Sequence, residues 1–204
     1  MITIVNYGMG NLGSIQNMFK YLGIPSQISS SENEIMNADK LLLPGVGAFD
    51  AAMGKLNSSG LREVLNYKAL EKKTPILGIC LGMQLLTNKS EEGKLNGLGW
   101  IDAETIKFKF EDLTKKIPHM GWNLVREVNP SLLTASLPEE PRFYFVHSYY
   151  VKAHDEKKVL MKTQYGVDFD SVIQQENIYG AQFHPEKSHK YGMKLFQNFA
   201  NLPC

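Results

Sequence analysis

The chain has 204 residues, 43% hydrophobic and 21% charged, the balance of a globular protein with one well-filled core. Its 22 basic and 21 acidic residues are mixed along the length and leave a formal net charge of +1, so there is no basic stripe to neutralise a nucleic-acid backbone. No apolar run approaches the roughly 18 residues needed to cross a bilayer.

Ile2–Val5 reads as a buried strand, and Leu12, Ile15, Phe19 and Leu22 follow it at helical spacing. Pro25–Ile28 and Lys40–Leu43 are the next strands. Leu56, Leu61, Val64 and Leu65 mark helix before Pro75, and Ile76, Leu77 and Ile79 form a further buried run that ends at Cys80. Strands alternating with helices predict right-handed crossovers and a largely parallel sheet. After about Trp100 the rhythm changes. Ile101–Phe108, Trp122–Val125, Phe143–Val151, Val159–Thr163, Ser171–Gln174 and Ile178–Phe183 follow closely and predict strands that are antiparallel at least in part. A last helix spans Ser188–Asn201, with Ser188 as N-cap and Met193, Phe196 and Phe199 as its buried face. No repeat or linker divides the chain. The expectation is one α/β domain over residues 1–204, a central mixed, largely parallel sheet flanked by helices.

Only Cys80 and Cys204 could form disulfides, too few for a stapled extracellular fold, and the opening residues lack the pattern of a secretory signal. A reducing cytoplasm is expected, where an internal cysteine can act as a thiolate. Gly78-Ile79-Cys80-Leu81-Gly82 has the form of a nucleophile elbow. Small neighbours let a tight strand-to-helix turn close, the following helix offers its N–H groups to the sulfur, and the Leu81 N–H would face an oxyanion. A small buried cysteine filling space at a strand end would look much the same; the flanking glycines favour chemistry.

Gln182-Phe183-His184-Pro185-Glu186 supplies what a thiol nucleophile needs: an imidazole to move its proton and a carboxylate to orient that imidazole. With residues two apart on a strand end, His184 and Glu186 would point the same way. His184, Glu186 and His189 fit no zinc-ligand spacing, so no metal is expected. Gly8-Met9-Gly10-Asn11-Leu12-Gly13 satisfies a dinucleotide-binding string, but Ser29-Ser30-Ser31 stands where that signature needs an acid, so no cofactor is expected.

A cysteine in Gly-Ile-Cys-Leu-Gly-Met-Gln, about a hundred residues ahead of Gln-Phe-His-Pro-Glu, resembles the class I (triad) glutamine amidotransferases. Asn6–Asn11, Leu43–Phe49, Pro118–Asn123 and Tyr144–Tyr149 are similar to the glutaminase subunits of imidazole glycerol phosphate synthase, so the likeness runs from residue 6 to residue 188. The resemblance implies that Cys80 attacks the side-chain amide of glutamine, His184 protonates the leaving ammonia and Glu186 orients His184. It further implies substrate and oxyanion contacts from Gly45, Val46, Gly47, Leu81, Gln84, His147, Ser148 and Tyr149. Ammonia would pass to a separate cyclase partner, a (β/α)₈ barrel of HisF type, in histidine biosynthesis. Asn11, Trp122, Tyr144 and Lys187 match positions on or near the side that meets this partner, although Trp122 and Tyr144 could equally be core aromatics. Three other readings stay open: a paralogue supplying ammonia for amidation of a surface sugar, a non-catalytic binding subunit, and a free-standing cysteine hydrolase.

Overall fold

The computed structural model describes residues 1–111 and 115–203; Cys204 lies outside the described residues. In chain order the first half comprises β1 (Ile2–Val5), α1 (Leu12–Tyr21), β2 (Ser26–Ser29), α2 (Glu32–Met36), β3 (Lys40–Gly45), α3 (Phe49–Ser58), α4 (Leu61–Asn66) with a π turn over Tyr67–Glu71, β4 (Ile76–Cys80) and α5 (Leu81–Leu85). Every residue of β1, β3 and β4 is buried, which is why these strands read as continuous apolar runs rather than alternating ones. They pair in parallel in the order β2-β1-β3-β4. One face of the sheet packs Leu41, Leu43 and Ile76 against Phe49, Met53 and Leu56 of α3 and Leu61 and Leu65 of α4. The other packs Ile4, Leu42 and Leu77 against Ile15 and Phe19 of α1.

The second half comprises β5 (Lys89–Ser90), β6 (Ala103–Lys107), β7 (His119–Leu124), β8 (Arg126–Glu127), β9 (Arg142–His147), β10 (Tyr149–Ala153), β11 (Val159–Tyr165), β12 (Val167–Gln175), β13 (Ile178–Ala181) and α6 (His189–Asn201). Strand β13 inserts between β4 and β12, parallel to the first and antiparallel to the second, and β12-β10-β6-β5 continue the sheet. The result is one α/β domain on a mixed sheet in which the five strands β2-β1-β3-β4-β13, counted from one edge, run parallel. Helix α6 covers the same face as α1, and Phe19 meets Phe196 with ring centroids 4.6 Å apart.

The structure corrects four expectations. Phe143–Val151 is two strands, because the chain leaves the small β7-β9 sheet at Ser148 and joins the main one, and an unbroken run of β-forming residues carries no mark of that change. The strand predicted at Trp122–Val125 begins instead at His119, a polar residue buried among aromatic rings. Ser188 occupies the N-cap position of α6 but makes no capping bond. Its hydroxyl donates to the His184 carbonyl at 2.6 Å and accepts from the Tyr144 N–H at 3.0 Å. The buried face of α6 is Leu195, Phe196 and Phe199 with Asn198, and Met193 is only half-buried.

Candidate active site

Cys80 ends β4 with φ 54° and ψ −113°, a left-handed conformation that a residue with a side chain adopts only under constraint. The constraint is a strand-to-helix turn with no room for side chains around it. A Cβ on Gly78 would stand 2.7 Å from the Gly82 carbonyl oxygen and 2.8 Å from the Met83 nitrogen, and one on Gly82 would overlap the Leu43 carbonyl. Backbone thus packs on backbone, and the thiol is held at the carboxyl end of the parallel strands. With five residues, α5 offers the N–H groups of one turn rather than the dipole of a long helix.

Strand β13 runs beside β4 in a register that sets Ala181 against Ile79, so the chain delivers Gln182 and His184 next to Cys80. Gln182 Nε2 lies 3.9 Å from Cys80 Sγ. His184 Nδ1 donates to Glu186 Oε1 at 2.8 Å, the two side chains being only 4% and 2% exposed. Glu186 is not on a strand end as expected. It sits in a 3₁₀ turn, Pro185–Lys187, which folds the carboxylate back under the ring. The turn is anchored by the His184 N–H to the Tyr144 carbonyl at 2.9 Å and by the Ser188 hydroxyl. His184 Nε2 is buried and has no hydrogen bond of ordinary length among the described residues. Burial alone would depress the imidazole, but interaction with the Cys80 sulfur and with Glu186 outweighs it and lifts the pKa to about 10. An imidazolium beside a sulfur, steadied by a carboxylate, is the arrangement that supports a thiolate.

A cavity of about 350 Å³ opens onto Cys80 and His184. Seven residues expected from the sequence line it: Val46, Gly47, Leu81, Gln84, His147, Ser148 and Tyr149. Gly45 lies behind it, paired with Cys80 across β3 and β4. Both N–H groups of the Gln84 amide are used, on the Tyr149 carbonyl at 3.1 Å and on Gln182 Oε1 at 3.2 Å, so its own oxygen is the end that can accept from a ligand. Glu92, Pro118 and Val146 also line the cavity and are not among the residues expected there. Glu92 is the one carboxylate among the lining residues, and its Oε2 accepts from the Phe49 N–H at 2.9 Å. In the sequence it sits in Ser-Glu-Glu-Gly, which reads as an ordinary surface turn and carries no signal.

Of the four residues expected near a partner, three meet. Trp122 is 47% exposed, lies edge-on to Tyr144 at 6.3 Å and stacks on His189 at 5.4 Å, while the Lys187 ammonium lies 5.6 Å from the Tyr144 ring. Asn11 caps α1, its side chain accepting from the Ser14 N–H at 3.4 Å. The Gly8–Gly13 string forms the turn into that helix, with Gly8 and Gly10 at φ 84° and 101°.

A thiol on a strained elbow, a carboxylate-held imidazole and a cavity at the carboxyl end of parallel strands define a cysteine-dependent acyl-transfer enzyme. The chain matches the model of the class-I glutamine amidotransferases over residues 3–202 and belongs to that family. It is similar to imidazole glycerol phosphate synthase subunit HisH 2 of Methanococcus maripaludis, 55% identical over 98% of each chain. Subunit HisH 2 of Pseudomonas aeruginosa is 47% identical over 99% of this chain and all of its own, and HisH of Leptospira borgpetersenii is 48% identical over the same shares. Among solved structures, a glutamine amidotransferase superposes with a TM-score of 0.74 at 15% identity, covering 98% of this chain and 99% of that one. PurLQS from Thermotoga maritima does so with a TM-score of 0.72 at 18% identity, covering 98% and 97%. These two share the fold.

Proposed function

We propose that the chain is the glutaminase subunit of an imidazole glycerol phosphate synthase, with Cys80, His184 and Glu186 as its catalytic residues. The observation that carries this reading is the approach of the carboxylate-held His184 to Cys80 at a cavity of about 350 Å³, in a chain of this family. The Cys80 thiolate attacks the side-chain carbonyl carbon of glutamine. The resulting oxyanion is met by the Leu81 N–H and by a peptide of the Gly45–Gly47 segment. His184 gives its Nε2 proton to the departing nitrogen, and the C–N bond breaks to release ammonia and leave a glutamyl thioester. A water then loses a proton to His184 and attacks the thioester, releasing glutamate and restoring the thiolate. Gln84, Tyr149 and Glu92 supply polar contacts for the charged end of the amino acid, the Glu92 carboxylate suiting its ammonium.

The ammonia passes to a separate cyclase barrel, with Trp122, Tyr144 and Lys187 in the surface that meets it and a reducing cytoplasm as the setting. Among the described residues no helix is long and apolar enough to cross a membrane. The test mixes the chain with a histidine-pathway cyclase and its ribulosyl substrate and follows glutamine-dependent product. Product that disappears in Cys80→Ala, while added ammonia still supports the cyclase, is the expected result. No product from a cyclase that still works with ammonia would assign the chain to another barrel, such as one that amidates a sugar. Product that survives Cys80→Ala would make it a non-catalytic subunit.

A further inference from the structure

His119 does not line the cavity, and neither the family match nor the relatives assign it a role. We infer that it is a positioning residue for glutamine, acting through His147 on the Tyr149 carbonyl and Gln84. This rests on the glutaminase reading above.

His119 and His147 face each other in the β7-β9 ladder, both buried. Their protons can be placed from the partners. His147 Nδ1 lies 2.7 Å from the Tyr149 carbonyl oxygen, which only accepts, so Nδ1 carries the proton and Nε2 of the neutral ring is an acceptor. His119 Nδ1, 3.0 Å from that Nε2, must therefore donate. That leaves His119 Nε2 as an acceptor, and the Asn123 amide donates to it at 3.2 Å while giving its other proton to the Gln164 carbonyl at 2.9 Å. Hydrogen bonds thus run in one direction, from Asn123 through His119 and His147 to Tyr149.

The Tyr149 carbonyl is also where Gln84 is anchored, and Gln84 in turn holds Gln182 beside the Cys80 sulfur. Two donors on one carbonyl fix the plane of a peptide that lines the cavity. Aromatic rings keep water from the pair: His119 is stacked between Phe145 at 4.8 Å and Tyr165 at 4.0 Å, and Phe169 lies 5.2 Å from His147. Burial holds both rings neutral, with pKa values lowered to about 4 for His119 and about 3 for His147. In such a dry site a lost donor is not replaced by solvent. Without the His119 proton, His147 Nε2 is left a buried acceptor with no donor, and the ring's hold on the Tyr149 carbonyl, one of that peptide's two restraints, is loosened.

The test measures steady-state glutamine hydrolysis by the complex with the cyclase subunit. His119→Phe keeps the ring and removes the donor, whereas His119→Asn retains an N–H close to the position of Nδ1. The expected result is a KM for glutamine raised about tenfold in His119→Phe with kcat within about threefold, and a return to near the wild-type KM in His119→Asn. An unchanged KM in His119→Phe, or an equal rise in both variants, would overturn the inference. Should His119→Phe fail to fold, ¹⁵N spectra of the wild-type imidazoles decide. Protons on Nδ1 of both rings, with resonances that move when glutamate fills the cavity, are expected, and an Nε2 proton on either ring or no movement would overturn it. A wild-type complex that does not hydrolyse glutamine would instead sink the glutaminase reading itself.

Discussion

Glu186 holds His184 across a single proline, Oε1 to Nδ1 at 2.8 Å, with both side chains almost wholly withdrawn from solvent. An amide in place of that carboxylate keeps the shape and loses the charge. Glu186→Gln should lower glutaminase kcat by roughly 10²- to 10⁴-fold, as the ring loses the partner that fixes its tautomer and favours its charged form. Because Glu186 is one of the groups raising His184, the alkaline limb of kcat/KM should also move to lower pH. Rates across pH 6 to 10 for the two proteins check both, and an unmoved limb would remove Glu186 from the role.

The histidines make opposing contributions to stability as pH changes. His184, raised from 6.5 to about 10, stabilises the fold fully below about pH 6.5 and loses that contribution as pH climbs through about 10. His119 and His147, lowered to about 4 and about 3, behave in reverse: their contribution is complete above pH 6.5 and is lost as pH falls towards those values. Urea unfolding should show a loss on the order of a few kcal/mol between pH 7 and pH 5. Equal midpoints at these two pH values would show that the paired imidazoles are not held neutral.

The elbow tolerates no added carbon. Gly78→Ala places a methyl 2.7–2.8 Å from the backbone of Gly82 and Met83, neither of which can swing aside, and should cost about 1–3 kcal/mol and disturb Cys80. Gly13, in α1, is a fitting control. A Cβ there meets nothing within 4 Å, so Gly13→Ala should stabilise by roughly 0.4–1 kcal/mol. Unfolding midpoints of the two variants should lie on opposite sides of wild type.

Trp122→Ala should weaken binding of the cyclase barrel by about 2 kcal/mol, the scale of an exposed aromatic anchor, and leave the unfolding midpoint of the isolated chain within a few degrees of wild type. Calorimetric titration reads the first and thermal unfolding the second. Unaltered affinity would remove Trp122 from the partner surface.

The parallel half of the fold is legible because β1, β3 and β4 are buried on both faces and announce themselves as apolar runs between amphipathic stretches. The proposed nucleophile and base are legible because their chemistry demands particular neighbours: glycines that let an elbow close, and an acid within reach of an imidazole. What stays hidden depends on contacts between distant segments. Ser188 reads as a helix cap, yet its hydroxyl is drawn to the His184 turn by a carbonyl 2.6 Å away. Glu92 reads as a surface acid until the fold sets it against the cavity. The break at Ser148 follows from which strand lies alongside, and no local pattern records that.

The strand that leads to His184, β13, enters the sheet between β4 and β12, yet is the last of the strands in chain order. A chain growing from its N-terminus therefore completes the strand that ends at Cys80 about a hundred residues before His184 exists beside it. Until then β4 has an open edge, Cys80 has no imidazole, and the cavity lacks a wall. A chain stopped before β13 would carry the Cys80 thiol without the His184 ring that the finished fold sets beside it.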